Sequence, residues 1–274
     1  MAELMNNLYL KRWLTGLILA AVIFVIIIFG SALALAAVIA LFAVGGVWEY
    51  NNIVFGEKGF RSEKIEGMIF AAVIPLAMLY GDGRFAIAVV ASCILIAFIV
   101  FLGSAKEEKI DVTAVAKVIF GLMYIPFLIS HFVLLRKLDN GVLWVIFVLV
   151  LAFAGDITAL YVGKYFGKHK LIPAVSPGKT IEGTIGLFAG STVACVIYGY
   201  FVFPQVSLIA LAVLAFVGSI VGQLGDLSES AIKRNYGLKD ASSLLPGHGG
   251  LLDRMDCLMF ISPFVYYYRI YVIG

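Results

Sequence analysis

Charge is what this 274-residue sequence has least of: Asp, Glu, Lys and Arg together make up 14% of it, against about 25% in soluble domains. So few ionic side chains exclude an ordinary water-facing surface for a chain of this length. Cysteine is scarce as well. Cys93, Cys195 and Cys257 are scattered, lack C-x-x-C spacing and lie in or beside apolar stretches, which excludes a disulfide framework and leaves them as small apolar side chains. No Ser-His-Asp or Cys-His arrangement stands out, so a covalent nucleophile is not indicated. A phosphate-binding P-loop is excluded too, because "SPGKTIEG" at 176–183 finds Pro173 where a Walker A loop needs glycine. No internal repeat is evident, which weighs against an inverted-repeat transporter.

What is abundant is apolar sequence: 62% of residues are hydrophobic and the mean hydropathy is +1.05. Apolar runs of about 18 or more residues recur from end to end, the length that crosses a bilayer as helix. Divided at polar, Gly and Pro punctuation, they predict spans near 12–29, 31–48, 66–80, 84–102, 112–135, 141–163, 181–203, 206–225 and 257–272. The expected fold class is an all-α polytopic membrane protein of about nine transmembrane helices. Residues 1–135 form an N-terminal membrane region of about five spans, and 136–274 a C-terminal catalytic region with polar loops at 164–180 and 226–256. The run after Lys11 and Arg12 is too long for a signal-peptide core and is followed at once by another, so it is expected to be a first span. Residues 29–31 leave little room for a turn and 66–80 is short, so a tilted or re-entrant hairpin would also fit there.

Basic residues set the topology. Of the 20 Lys and Arg residues, 15 fall on one set of alternate connections and four on the other, with Lys117 just inside a span. The positive-inside rule then places the N-terminus in the cytoplasm, the C-terminus outside, and both long polar loops on the cytoplasmic side. The expectation is an integral, multi-pass protein of the cytoplasmic (inner) membrane whose active site faces the cytoplasm.

Acidic residues are few, and several stand where charge is costly. Asp156, in "LAFAGDITALYVG", lies inside a span; such a carboxylate faces a bundle interior or a water-filled cavity and pairs with a cation, or else makes a structural hydrogen bond to another helix. Lys164, Lys168 and Lys179 are its candidate partners. Asp226 ends the eighth predicted span, and Asp253 and Asp256, spaced i, i+3, open the ninth. Three carboxylates at adjacent span ends repel one another unless a cation such as Mg²⁺ compensates them; a helix cap paired with Arg254 is the blander reading. Between these acids, Lys233, Arg234, Lys239 and His248 concentrate in one loop. Alone they would suit anionic lipid headgroups. Beside carboxylates they match phosphoryl or nucleotidyl transfer, in which metal and cations share the phosphate charge. Gly249 and Gly250, with Gly247, allow backbone N–H groups to approach a phosphate. Lys179 and Thr180 open a helix, a favourable place for an anion. Glu182 could cap that helix, bind metal or pair with Lys179.

Ser230, Lys233-Arg234, Lys239-Asp240, Pro246, His248-Gly249-Gly250, Asp253-Arg254 and Asp256 follow the pattern S-x-x-K-R-x4-K-D, seven residues, H-G-G-x-x-D-R-x-D without a gap. This long string resembles the signature of the phosphatidate cytidylyltransferase (CDP-diacylglycerol synthase) family. "DLSES" at 226–230, "SPGKTIEG" at 176–183 and Asp156 with "YVGKYFGKHK" are similar to family segments in the same order. The resemblance is specific from about residue 141 onward and general before it; Cys257 departs from the serine expected in relatives. It implies conversion of CTP and phosphatidate to CDP-diacylglycerol and pyrophosphate with Mg²⁺, with room for a second cation. It further implies that Asp226, Asp253 and Asp256 hold metal, and that Lys233, Arg234, Lys239, His248 and Arg254 bind triphosphate or lipid phosphate. Ser176, Lys179 and Thr180 would close the other side of the site, with Asp156 and Glu182 orienting cations. The implied partners are CTP, phosphatidate and the lipid bilayer, without nucleic acid, and a homodimer accords with the family. A CTP-using lipid or polyprenol kinase and an archaeol cytidylyltransferase are the nearest alternatives. CDP-alcohol phosphatidyltransferases are excluded by the missing D-G-x2-A-R pattern, and a cation or phosphate transporter would need polar groups along a whole crossing.

Overall fold

The structure, a computed structural model, describes residues 16, 20–56, 60–81, 83–104, 111–242, 244 and 249–274. In chain order the helices are α1 (Ala20–Phe29), α2 (Ala32–Phe55), α3 (Arg61–Tyr80), α4 (Gly83–Ser104), α5 (Val112–Leu122), α6 (His131–Lys137), α7 (Gly141–Phe166), α8 (Ile181–Val202), α9 (Leu208–Asn235) and α10 (Leu252–Tyr268). A π-helical stretch at Met123–Phe127 joins α5 towards α6, and another at Arg269–Ile273 extends α10. Six helical segments are long and apolar enough to cross a membrane: α2, Arg84–Gly103 in α4, Val112–Lys137, α7, α8 and α9. The chain is an all-α integral membrane protein. Among the described residues the exception to helix is one antiparallel hairpin, β1 (Lys170–Ile172) with β2 (Ser176–Thr180).

Several boundaries differ from the hydropathy reading, each for a local reason. Residues 30 and 31 suffice to turn the chain, since Ser31 Oγ accepts from Ala34 N at 3.1 Å and starts α2, while Arg136 Nη2 donates to Gly30 O at 3.0 Å. α3 begins at Arg61 rather than 66, its first turns being charged. α9 runs on to Asn235, so Asp226 is interior to a helix and the long polar connection shrinks to 236–251. That extension is polar but helix-compatible: Glu229 and Lys233 pair at i, i+4 with 2.5 Å between charged atoms, and Lys233 and Arg234 fall in the last turn. α10 starts at Leu252, so both of its early carboxylates are helical. Residues 164–180 are partly ordered as strand, with Val175 N donating to Ile172 O at 3.1 Å across a turn that has Pro173 second. The span calls within 12–19 lie largely outside the described residues.

Small residues let α7 and α8 pack backbone to backbone. Gly155, Ala159 and Gly163 recur every fourth residue on α7. They face Gly183 and Ser191 of α8: a Cβ on Gly155 would lie 2.4 Å from Ser191 Oγ, and one on Gly183 3.1 Å from Ala159 O. Farther along the chain Gly225 of α9 lies against the backbone of α10, where a Cβ would meet Asp256 O at 2.5 Å. Because the obstacle is backbone, no rotamer change relieves it. Gly225→Val is expected to lower the thermal unfolding midpoint in detergent by several degrees, whereas Gly103→Val, with nothing within 4 Å of its Cβ, leaves it unchanged.

Candidate functional site

One end of the bundle gathers the C-terminal ends of α2, α7 and α9 and the N-terminal ends of α8 and α10. The bonds that bring them there are specific. Lys179, at the end of β2, forms an ion pair with Asp226 of α9. Arg234 Nε of α9 donates to Val175 O of the hairpin turn at 3.2 Å, and Glu49 of α2 receives the first amides of α10.

A cavity of about 380 Å³ opens between α7, α8 and α9, lined by Asp156, Leu160, Lys164, Lys179, Thr180 and Asp226 among others. A smaller pocket shares Asp156 and Asp226 and reaches Cys257. Asp156 is within electrostatic range of Asp226, Lys179 and Arg254, and Asp256 within range of Asp226, Asp156 and Lys179. Asp156 of α7 and Asp226 of α9 therefore line one cavity with Lys179, and Asp256 of α10 lies within electrostatic range of all three. Asp256 Oδ1 also accepts from its neighbour's amide, Cys257 N, at 2.7 Å. Of the proposed partners of Asp156, Lys179 is within reach and Lys164 lines the same cavity, while Lys168 is exposed on the connection to the hairpin.

Asp253 stands apart from this group. Its Oδ1 pairs with Lys233, and its Oδ2 accepts from Ala241 N at 3.0 Å and Gly250 N at 2.8 Å. The structure thus places Asp156, and not Asp253, with Asp226 and Asp256; the i, i+3 spacing directs the two acids of α10 to different neighbours. Among the described residues no three His, Cys, Asp or Glu side chains converge into a ready-made ion cage.

The basic residues divide similarly. Lys233 is buried between Glu229 and Asp253, so its ammonium is shared between two interior carboxylates. Arg234 is exposed and donates from Nη1 to Leu238 O at 2.9 Å as well as to the hairpin. Lys239 and Arg254 are exposed at the same end. Ser176 lies in β2, paired in register with Ile172. Thr180 caps α8, its Oγ1 accepting from Gly183 N at 3.1 Å. Glu182 accepts from Lys168 N at 3.1 Å and lies 2.7 Å from His169 Nδ1, fastening the end of α7 to α8. Gly249 has φ of 81°, a conformation that favours glycine, and a Cβ on Gly250 would lie 2.8 Å from Glu49 Oε2. His248 lies outside the described residues.

Two residues were missed in the sequence reading. Gln223 lines both pockets, and its buried Nε2 finds no hydrogen-bond partner among the described residues. Glu49 is fully buried at the end of α2; its only signal was a carboxylate at the edge of an apolar run.

The sequence model of the "Cytidylyltransferase family" matches residues 10–272. The chain is 30% identical over 272 residues to a phosphatidate cytidylyltransferase of Bacillus subtilis, covering 94% of this chain and 96% of that protein. It is 32% identical over 258 residues to the protein of that name from Staphylococcus aureus, covering 92% and 95%. Over a shorter stretch of 145 residues it is 39% identical to that of Staphylococcus saprophyticus, covering 53% and 56%.

The Glu182 contacts have a direct readout. Glu182→Ala is expected to speed tryptic cleavage after Lys168 and Lys170 several-fold while leaving the rest of the digestion pattern unchanged, as followed by mass spectrometry.

Proposed function

Because the chain belongs to the cytidylyltransferase family, we propose that it transfers the cytidylyl group of CTP to phosphatidate, giving CDP-diacylglycerol and pyrophosphate. The observation that carries this reading is the cavity between α7, α8 and α9, whose wall combines Asp156 and Asp226 with Lys164 and Lys179. Its apolar members, Leu160 and Leu187 among them, suit a lipid, while the charged members suit phosphate. In the reaction a phosphate oxygen of phosphatidate attacks the α-phosphorus of CTP. The bond from that phosphorus to the oxygen bridging to the β-phosphorus breaks, and pyrophosphate departs with the bond pair. The attacking oxygen is already anionic, so no covalent enzyme intermediate is needed.

The chain's own residues position and neutralise. Lys179, on β2 just ahead of α8, meets phosphate charge by exchanging its partner Asp226 for the substrate. Lys164 and Arg254 add positive charge at the rim, and the unpartnered amide of Gln223 offers a donor inside. The donor set fits Mg²⁺: carboxylates supply the hard oxygens it prefers, and this ion is commonly held by one or two carboxylates together with substrate phosphates, not by an all-protein cage. Asp226 and Asp256 would hold it, with Asp156 beside them. Bound there, the ion supplies charge neutralisation on the transferring phosphoryl group. Asp253 serves instead to hold the segment before α10.

Orientation follows from the basic residues. With α1, α3 and α10 as the remaining crossings, the N-terminus is cytoplasmic and the site opens to the cytoplasm, where CTP is dissolved.

Purified protein incubated with radiolabelled CTP, phosphatidate and Mg²⁺ is expected to form labelled CDP-lipid, and a chelator to abolish it. Formation of a phosphorylated lipid alcohol with release of CDP would point to a kinase, and no labelled lipid would refute transfer altogether. Asp256→Asn should lower kcat/KM at least about 100-fold with an unchanged thermal midpoint. Asp253→Asn should lose activity together with several degrees of stability, since it breaks an interior ion pair.

A further inference from the structure

We propose that Glu49, in the N-terminal half of the chain, is a positioning residue for the site: with Asp253 it clamps the neck of the 242–251 segment and so fixes the start of α10. The proposal rests on the functional reading above for its kinetic consequence but not for its structural one. Glu49 is 0% exposed and forms no ion pair with a cation among the described residues. Its Oε1 accepts from Ser242 Oγ at 2.5 Å and from Leu251 N at 2.8 Å, and its Oε2 from Leu252 N at 2.7 Å. Leu251 and Leu252 are the residues at which α10 begins. A helix start leaves amides without intrahelical partners, and buried amides of that kind need an acceptor. The chain near residue 251 provides none by itself: the N-cap, Leu251, has no side-chain cap. A carboxylate about 200 residues away supplies it, and its negative charge is favoured at the positive end of the helix dipole.

The second carboxylate completes the clamp. Asp253 Oδ2 draws Ala241 N and Gly250 N together, while Glu49 draws Ser242 and Leu251 together. Each acid thus ties a residue on the way into the segment to one on the way out. Gly250 is confined between them: a Cβ there would lie 2.8 Å from Glu49 Oε2 and 2.9 Å from Ala241 Cβ. Glycine at this position is therefore what allows Glu49 to reach α10. The consequence for chemistry is that Asp256, one turn into α10, takes its place relative to Asp226 and Asp156 from a support built in the other half of the molecule.

Three variants in nanodiscs, Glu49→Gln, Glu49→Ala and Ser242→Ala, test this by two independent readouts. Hydrogen exchange should show the amides of Leu251 and Leu252 exchanging about 10- to 100-fold faster in Glu49→Ala, the range expected for losing hydrogen bonds to a charged acceptor. Glu49→Gln, which retains one acceptor oxygen, should lie between it and the wild type, with α7 and α8 unchanged in both. In CDP-lipid formation, kcat should fall in the same order while KM for phosphatidate stays within about threefold, because the α7–α8 cavity is untouched. Ser242→Ala should add nothing in the Glu49→Ala background. Wild-type protection at Leu251 and Leu252, or faster exchange spread equally over α7 and α8, would overturn the proposal. So would an unchanged kcat in an active protein. If no variant and no wild type makes CDP-lipid, the functional reading fails, and the exchange data still decide the role of Glu49.

Discussion

An ionic group carried into an apolar bundle must find an opposite charge or several hydrogen-bond donors, and this constraint organises the end of the molecule that holds the site. The ion pair of Lys179 with Asp226 ties the hairpin to α9. Lys233 bridges Glu229 and Asp253, which draws α10 against α9. Glu49, without a cation beside it among the described residues, is satisfied by two amides and a hydroxyl. The polar residues of a mostly apolar chain therefore act as its tertiary fasteners, in a setting where lipid-facing apolar surface gives helices little reason to choose one neighbour over another.

Close packing supplies the complementary part. Glycines on α7, α8 and α9 allow backbones to approach until side-chain functions from three helices reach one pocket. Asp156 is then set opposite Asp226 and Lys179 even though it sits within a span. The carboxylates fall into two groups by their partners. Asp156 and Asp226 line one cavity with Lys179 and lie within electrostatic range of Asp256, a grouping of hard oxygen donors that would suit a cation and phosphate-bearing substrates. Asp253, Glu229, Glu182 and Glu49 are engaged by lysine, histidine or backbone amides and hold the scaffold. A signature string thus mixes residues that face the cavity region with residues that hold its neighbours, and spacing along the string does not separate them.

Much of the fold was legible because membrane insertion imposes a length and a polarity on each crossing. The polar ends of helices were less so. α9 was expected to stop near residue 225 because apolar sequence stops there, yet an i, i+4 ion pair carries the helix on to Asn235. In the same way residues 164–180 read as loop, although a proline-bearing turn folds part of them into a hairpin. Hydropathy reports where lipid ends, and a helix can continue into water beyond it.

By itself the sequence determined the class of molecule, the family string and most of the charged candidates, since a charge within a long apolar run is conspicuous wherever it occurs. Tertiary structure alone decided which charges meet. It moved Asp156 into the company of Asp226 and Asp256, turned Asp253 towards Lys233, and brought Glu49 to the start of α10. The reason is geometric: partnership depends on which helix faces touch and how closely their backbones approach, and residues about 200 positions apart carry no local pattern that records it.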